Sequence, residues 1–258
     1  MMASDPQKMN QKLSRWVKTV LRRFDVGVMR YSNLQKVLVE SEAFKNFPFF
    51  LSLPQEQLPE LLGYIYKSRS QLWQDLFVIS ELGFKKNGYF VEFGATNGVD
   101  LSNSYLLETD FGWKGILAEP ARCWHRDLRS NRKARIEEKC VWQDSSSTLS
   151  FNEVAEPELS TIDDFSATDT HRELRQKGKT YDVGTISLLD MLVKYGAPTR
   201  IDYLSIDTEG SEFEILNAFD FDRFHFSVIT CEHNFTPARE KIRALLGRNG
   251  YTRKFAEF

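Results

Sequence analysis

Cysteine is scarce in this chain, and what there is forms no pattern. Cys123, Cys140 and Cys231 are odd in number, and no pair has C-x-x-C spacing, which excludes a disulfide framework and a zinc site of that type. A reducing compartment is the expected setting, so the reading is a cytoplasmic protein. Cys140 and Cys231 stand in apolar runs, so buried thiols are expected there. Long hydrophobic stretches are also missing: none approaches a membrane span, and the basic N-terminus lacks the apolar centre of a signal peptide. Charge of one sign is missing too. With 34 basic against 36 acidic residues, the net charge of −2 gives no sequence-wide attraction to nucleic acid, which is not expected as a partner. There is no internal repeat or low-complexity tract, and no G-x-G-x-x-G fingerprint of a dinucleotide site.

What is present is ample core-forming material. Over 258 residues, 41% are hydrophobic and 13% aromatic, enough for one large domain or a domain with an appendage. The appendage is read over residues 1–69 as a helical extension, and the main domain over 70–258. Between Pro6 and Phe24 there is no acid, while Lys8, Lys12, Arg15, Lys18, Arg22 and Arg23 are basic. Met9, Leu13, Trp16, Val17, Val20 and Phe24 share one face at helical spacing. That face can pack on the main domain, on a second subunit as a homo-oligomer, or on the inner face of an anionic membrane as a peripheral contact. The stretch "FKNFPFFLSLPQEQLP" reads as a connector laid on the core, and "LPELLGYIYKSRSQLWQDLFVISELGF" as a helix stopping near Gly83.

From Tyr89 onward, strands alternate with helices. "YFVEFGA", "KGILAEP", "IEEKCVWQ", "IDYLSID" and "FSVITCEH" are short apolar runs suited to strands buried on both faces of a parallel sheet. Helices are expected over Ser104 to Thr109, Ala121 to Arg132, Ile186 to Tyr195, Glu212 to Ala218 and Pro237 to Arg248. This alternation predicts a doubly wound, mostly parallel α/β sheet. Such sheets bind ligands beyond the carboxyl ends of their strands. Gly94, Ala95 and Gly98 would form the tight turn there, with Glu92 just upstream and Glu119 ending the next strand. An acid in that place repels phosphate and favours a cation. S-adenosylmethionine suits the pattern, having an amino group, a sulfonium and a ribose diol that Glu119 can accept from.

The segments "GYFVEFGATNGVDLSNSYLLETDFGWKGILAEP", "IDYLSIDTEGSEFEILNAFDF" and "VITCEHNFTPAREKI" resemble the FkbM-type methyltransferases from about Ser70 to the C-terminus. The resemblance implies a Rossmann-like class I methyltransferase fold and S-adenosylmethionine-dependent O-methylation, often in glycan or polyketide tailoring. The expected acceptor is a hydroxyl of a sugar in a glycan or glycan precursor. Glu92, Gly94, Ala95, Asn97 and Gly98 resemble the loop at the cofactor's methionine end, with Asn103 following. Glu119 resembles the ribose acid, and the turn after "KCVW" resembles the adenine-binding edge, which implies Val141 and Trp142 there. The family usually continues past the region resembling "GYTRKFAEF" into an aromatic, acidic strand, so the domain is expected to lack its last strand.

Methyl transfer to a hydroxyl needs in-line alignment and a base for the released proton. Asp207 and Glu209 follow one strand, and Glu232 and His233 end the next. His233 or Asp207 is the expected base, also placing Asp207 at the cofactor, with Glu209 orienting a partner or the substrate. Asp207, Glu232 and His233 could also hold a divalent cation such as magnesium, though nothing in their spacing demands one. Gln71, Gln74 and Asp75 precede the first strand on a helix that could reach the cofactor or substrate. The polar stretch from Phe151 to Thr185, with His171, Arg172 and Arg175, reads as an active-site lid, a substrate-selecting insertion or a disordered loop. A nucleotide-dependent oxidoreductase and a non-catalytic scaffold on the same fold are the alternatives.

Overall fold

The computed structural model describes residues 49–154, 160–162, 178–233 and 236–255. The chain forms two compact units, Met1–Ser52 and Leu53–Phe258. The amphipathic helix expected between Pro6 and Phe24 lies outside the described residues, as do His171, Arg172 and Arg175.

After a 3-10 turn at Gln55–Gln57, the second unit forms α1 (Leu58–Leu62) and α2 (Gln74–Glu81), where the sequence predicts one continuous helix. Trp73, the residue before α2, sits in the left-handed region at φ 58°. Ser70 also forms an isolated bridge with Leu101. The Ser68 hydroxyl donates to Asp75 and the Ser70 hydroxyl accepts from the Asp75 amide. Serine hydroxyls offering backbone groups such alternatives interrupt a helix that apolar spacing alone would continue.

The main sheet is built of β1 (Tyr89–Phe93), β2 (Lys114–Ala118), β3 (Arg135–Glu137), β8 (Arg200–Ile206) and β9 (His225–Cys231). The spatial order is β3-β2-β1-β8-β9, and every pairing is parallel. Phe90, Val91, Ile116, Leu117, Ile201, Leu204 and Phe226 are fully buried, because helices cover the sheet and leave its strands no wet face. The connecting helices are α3 (Tyr105–Phe111), α4 (His125–Asn131), α5 (Leu188–Lys194), α6 (Glu212–Asn217) and α7 (Ala238–Arg248). Local chemistry sets their ends: Ser187 caps α5 by accepting from the Asp190 amide, and Gly112 closes α3 in the left-handed conformation at φ 70°.

Two expectations are corrected. "IEEKCVWQ" is not one strand: it splits into β3 on the main sheet and β4 (Cys140–Trp142) on another. The Glu137 carboxylate folds back to accept from the Lys139 amide at 3.1 Å, turning the chain away from β2. The polar stretch after Phe151 is also more than a loop. Its described parts belong to β5 (Thr148–Glu153), β6 (Thr161–Ile162) and β7 (Lys179–Ser187). With β4 these form a four-stranded sheet in the order β4-β7-β5-β6. Antiparallel pairing of Leu149 with Val183 and of Phe151 with Tyr181 buries Phe151, Ile162 and Val183 against Ala121 and Cys140.

Candidate active site

The order β3-β2-β1-β8-β9 reverses direction between β1 and β8, which is where a doubly wound sheet opens a crevice. A cavity of about 270 Å³ lies there, walled by the ends of β1, β2, β8 and β9 and by Phe151, Ser160 and Ile162 of the second sheet. Gly94 makes the crevice possible. At φ 70° it lets β1 approach β8 so closely that a Cβ would stand 2.0 Å from the Asp207 carbonyl oxygen, well inside van der Waals contact.

Glu119 is buried in the cavity wall. Its two carboxylate oxygens accept from the Thr96 amide at 2.8 Å and the Ala121 amide at 2.7 Å. Burial pushes its carboxyl up to about 7, against the pull of those two amides. Each oxygen keeps a lone pair, so the group can still accept from a ligand.

Glu92 also lines the cavity, but its carboxylate is held from inside. It accepts from the Asn103 amide at 2.7 Å and from the Ser102 and Ser104 hydroxyls. Arg132, itself buried, stands 3.9 Å away. The cation expected beside Glu92 is therefore supplied by the protein. Asn103 is different. Its amide nitrogen donates to Ser205 at 2.9 Å, while its Oδ1 is buried without a partner in a side chain 6% exposed at the cavity wall.

Of the remaining cofactor candidates, Val141 lines the cavity, accompanied by Cys140, whose apolar run predicts only a buried thiol. Trp142 packs instead in the apolar cluster with Ala121 and Phe151. Ala95 is buried, Gly98 packs against Leu128 and Arg132, and the Asn97 side chain closes its own turn by accepting from the Val99 and Asp100 amides. These three shape the loop and do not line the cavity. Gln71 lines it, whereas Gln74 accepts from the Leu72 amide and Asp75 is wholly buried, its carboxyl pushed up to about 6 by that burial.

At the other end of the cavity three acids gather. Carboxylate oxygens of Asp207, Glu209 and Glu232 all lie within 4.8 Å of one another. Glu209 sits at φ 58°, a left-handed conformation costly for a residue with a side chain. Glu212 secures the turn by accepting from the Thr208 amide and hydroxyl and the Gly210 amide. Thr161 of β6 donates to the Glu209 carbonyl at 2.9 Å. Burial and the neighbouring Asp207 push the Glu232 carboxyl up to about 11, and burial also raises Asp207.

The expected meeting of Asp207 with His233 is corrected by one residue. Ile206 is aligned with Cys231 in the parallel register, and the Glu232 amide donates to the Ile206 carbonyl at 2.9 Å. Asp207 is therefore level with Glu232, which lines the cavity, while His233 does not. Its carbonyl accepts from the amide and hydroxyl of Thr236.

Crevice, strand-end acids and sheet order are the furniture of a methyl-transfer fold, and the sequence comparison agrees. Residues 92–253 match the Methyltransferase FkbM domain. No curated protein and no solved structure matches the chain. The matched span runs from the first strand-end acid to the residues after α7, well over half the chain, and so this protein belongs to the FkbM methyltransferase family.

Proposed function

We propose that this methyltransferase takes S-adenosylmethionine in the cavity between β1 and β8 and methylates a hydroxyl, that of a sugar in a glycan or glycan precursor. The observation that carries this reading is the pairing of Glu119 with the unpartnered Asn103 Oδ1 in one cavity. Glu119 would hold the ribose diol, and Asn103 Oδ1 would accept from the ammonium of the methionine end. Cys140, Val141, Phe151 and Ile162 offer an apolar slot for the base beyond Glu119. Bound there, the cofactor supplies an electrophilic methyl carbon on sulfur.

The chain's own task is then to orient an acceptor hydroxyl and take its proton. Asp207 lines the cavity at the end of β8 and is the base. Glu209, 8% exposed and held by its turn, orients the acceptor. The sugar is inferred from the family's frequent use in glycan tailoring.

Calorimetric titration with S-adenosylmethionine and S-adenosylhomocysteine, with NAD as control, tests the reading. Binding of the first two alone is expected, followed by methyl transfer to sugar hydroxyls in an acceptor screen. Binding of NAD instead would favour an oxidoreductase, and cofactor binding without turnover on any acceptor would favour a scaffold.

A further inference from the structure

We propose that Ser205 is a positioning residue for the ligand: its hydroxyl takes the Asn103 amide nitrogen and so leaves Oδ1 as the end offered at the cavity wall, which makes this part of the cavity selective for an ammonium. The ligand's identity rests on the S-adenosylmethionine reading above; the orientation of Asn103 does not.

Asn103 is gripped from two strands. Its backbone amide donates to Glu92 at 2.7 Å and its Nδ2 donates to the Ser205 hydroxyl at 2.9 Å. Glu92 of β1 and Ser205 of β8 are partners in the parallel register, so their side chains stand level on one face of the sheet. A carboxamide has two ends, and turning it over would exchange an acceptor for a pair of donors at the wall. Ser205 sets which end is offered.

Ser205 is itself supported. Thr230, its register partner on β9, donates to it at 3.5 Å, and Tyr203, two residues back on the same face of β8, meets the Thr230 hydroxyl at 2.6 Å. Tyr203 is 0% and Ser205 1% exposed. Hydroxyls at that depth are costly unless bonded, and once bonded they fix the arrangement of the groups around them. The chain of hydroxyls ends at Asn103, whose Oδ1 alone is left buried and unpartnered.

The rest of the wall favours the same kind of ligand. Glu119, Asp207, Glu209 and Glu232 line the cavity, and among the described residues no lysine, arginine or histidine does. That field draws a cation, and the carbonyl end of Asn103 can accept from one where its NH2 end cannot.

Calorimetry compares S-adenosylhomocysteine with its deamino analogue, in which hydrogen replaces the ammonium. Wild type should prefer the former. Asn103→Ala should cut that preference by about 10- to 100-fold, as for one hydrogen bond to a charged group, and Ser205→Ala should cut it by about 10-fold while the analogue binds as before. In the double variant the loss should be no greater than in Asn103→Ala alone, because Ser205 acts through Asn103. Equal weakening of both ligands by Ser205→Ala, or additive losses in the double variant, would overturn the proposal. Nuclear magnetic resonance of the unliganded wild type tests the hold on Asn103 without any substitution: its side-chain NH2 should exchange with water far more slowly than that of a solvent-exposed asparagine, and equally fast exchange would also overturn the proposal. If wild type binds no S-adenosylhomocysteine, the cofactor reading fails, and the exchange rate alone then decides whether Ser205 holds Asn103.

Discussion

Glu119 concentrates the recognition problem in one side chain. It is buried at the end of β2, yet both oxygens face donors, so its charge is decided by a contest between desolvation and hydrogen bonding. Desolvation wins, lifting the carboxyl to about 7. Below that value the proton occupies an oxygen that a ribose diol needs, and above it both oxygens can accept. The affinity for S-adenosylhomocysteine should therefore rise as pH climbs through about 7, and Glu119→Gln should flatten that dependence. Glu119→Ala should weaken binding at higher pH by roughly 1.5–3 kcal/mol, the usual range for hydrogen bonds to a charged group. Calorimetry across the pH range checks all three. A binding constant indifferent to both pH and substitution would remove Glu119 from the cofactor's contacts.

Among elements, the junction of β1, α3 and α4 shows where sequence is legible. The main strands can be read because each is a continuous apolar run, and Glu119 and Asp207 because they stand at strand ends. The role of Glu92 cannot, since its partner Arg132 is forty residues away and looks like one more surface arginine. The same limit hides the β3/β4 break, made by one Glu137 side chain, and the Glu232 pairing, which depends on a register that two strand sequences do not specify alone. Arg132 donates to Ser102, Ser104 and the Gly98 carbonyl and pairs with Glu108 at 3.2 Å. Arg132→Met would strip these and leave Glu92 a buried acid without its cation. The expected loss is about 3–5 kcal/mol, the cost of breaking a buried pair, measured by chemical denaturation. Adding Glu92→Gln should recover part of it, because the stranded charge is then gone; a double variant no more stable than the single would assign the loss to packing.

At the scale of the molecule, the cavity belongs to two sheets. The main sheet supplies the acids, and the second closes the opposite wall with Phe151, Ser160 and Ile162. The sheets share apolar core, Val141 and Ile186 packing with Val91 and Phe93, and Phe151 and Ile162 with Ala121, and polar contacts add to it. Arg122 lies over the Tyr181 ring at 4.3 Å, its amide donates to the Tyr181 hydroxyl, and that hydroxyl donates to Glu153. Thr161 reaches the Glu209 carbonyl. Removing one such bond should cost little in global stability and more in local opening, because among the described residues β6 is otherwise held by its two-residue pairing with β5 and by Ile162 in the apolar cluster. Thr161→Val keeps shape and removes only the hydroxyl. It should lower unfolding free energy by about 1 kcal/mol, while amide exchange at Phe151, Asn152 and Ile162 speeds up more than exchange in β1 or β8. Since Glu209 stands on the far side of that bond, S-adenosylhomocysteine should slow the exchange in wild type and do so less in the variant. Uniform acceleration across both sheets would instead mean that the wall has no motion of its own, and that the second sheet opens only when the whole domain unfolds.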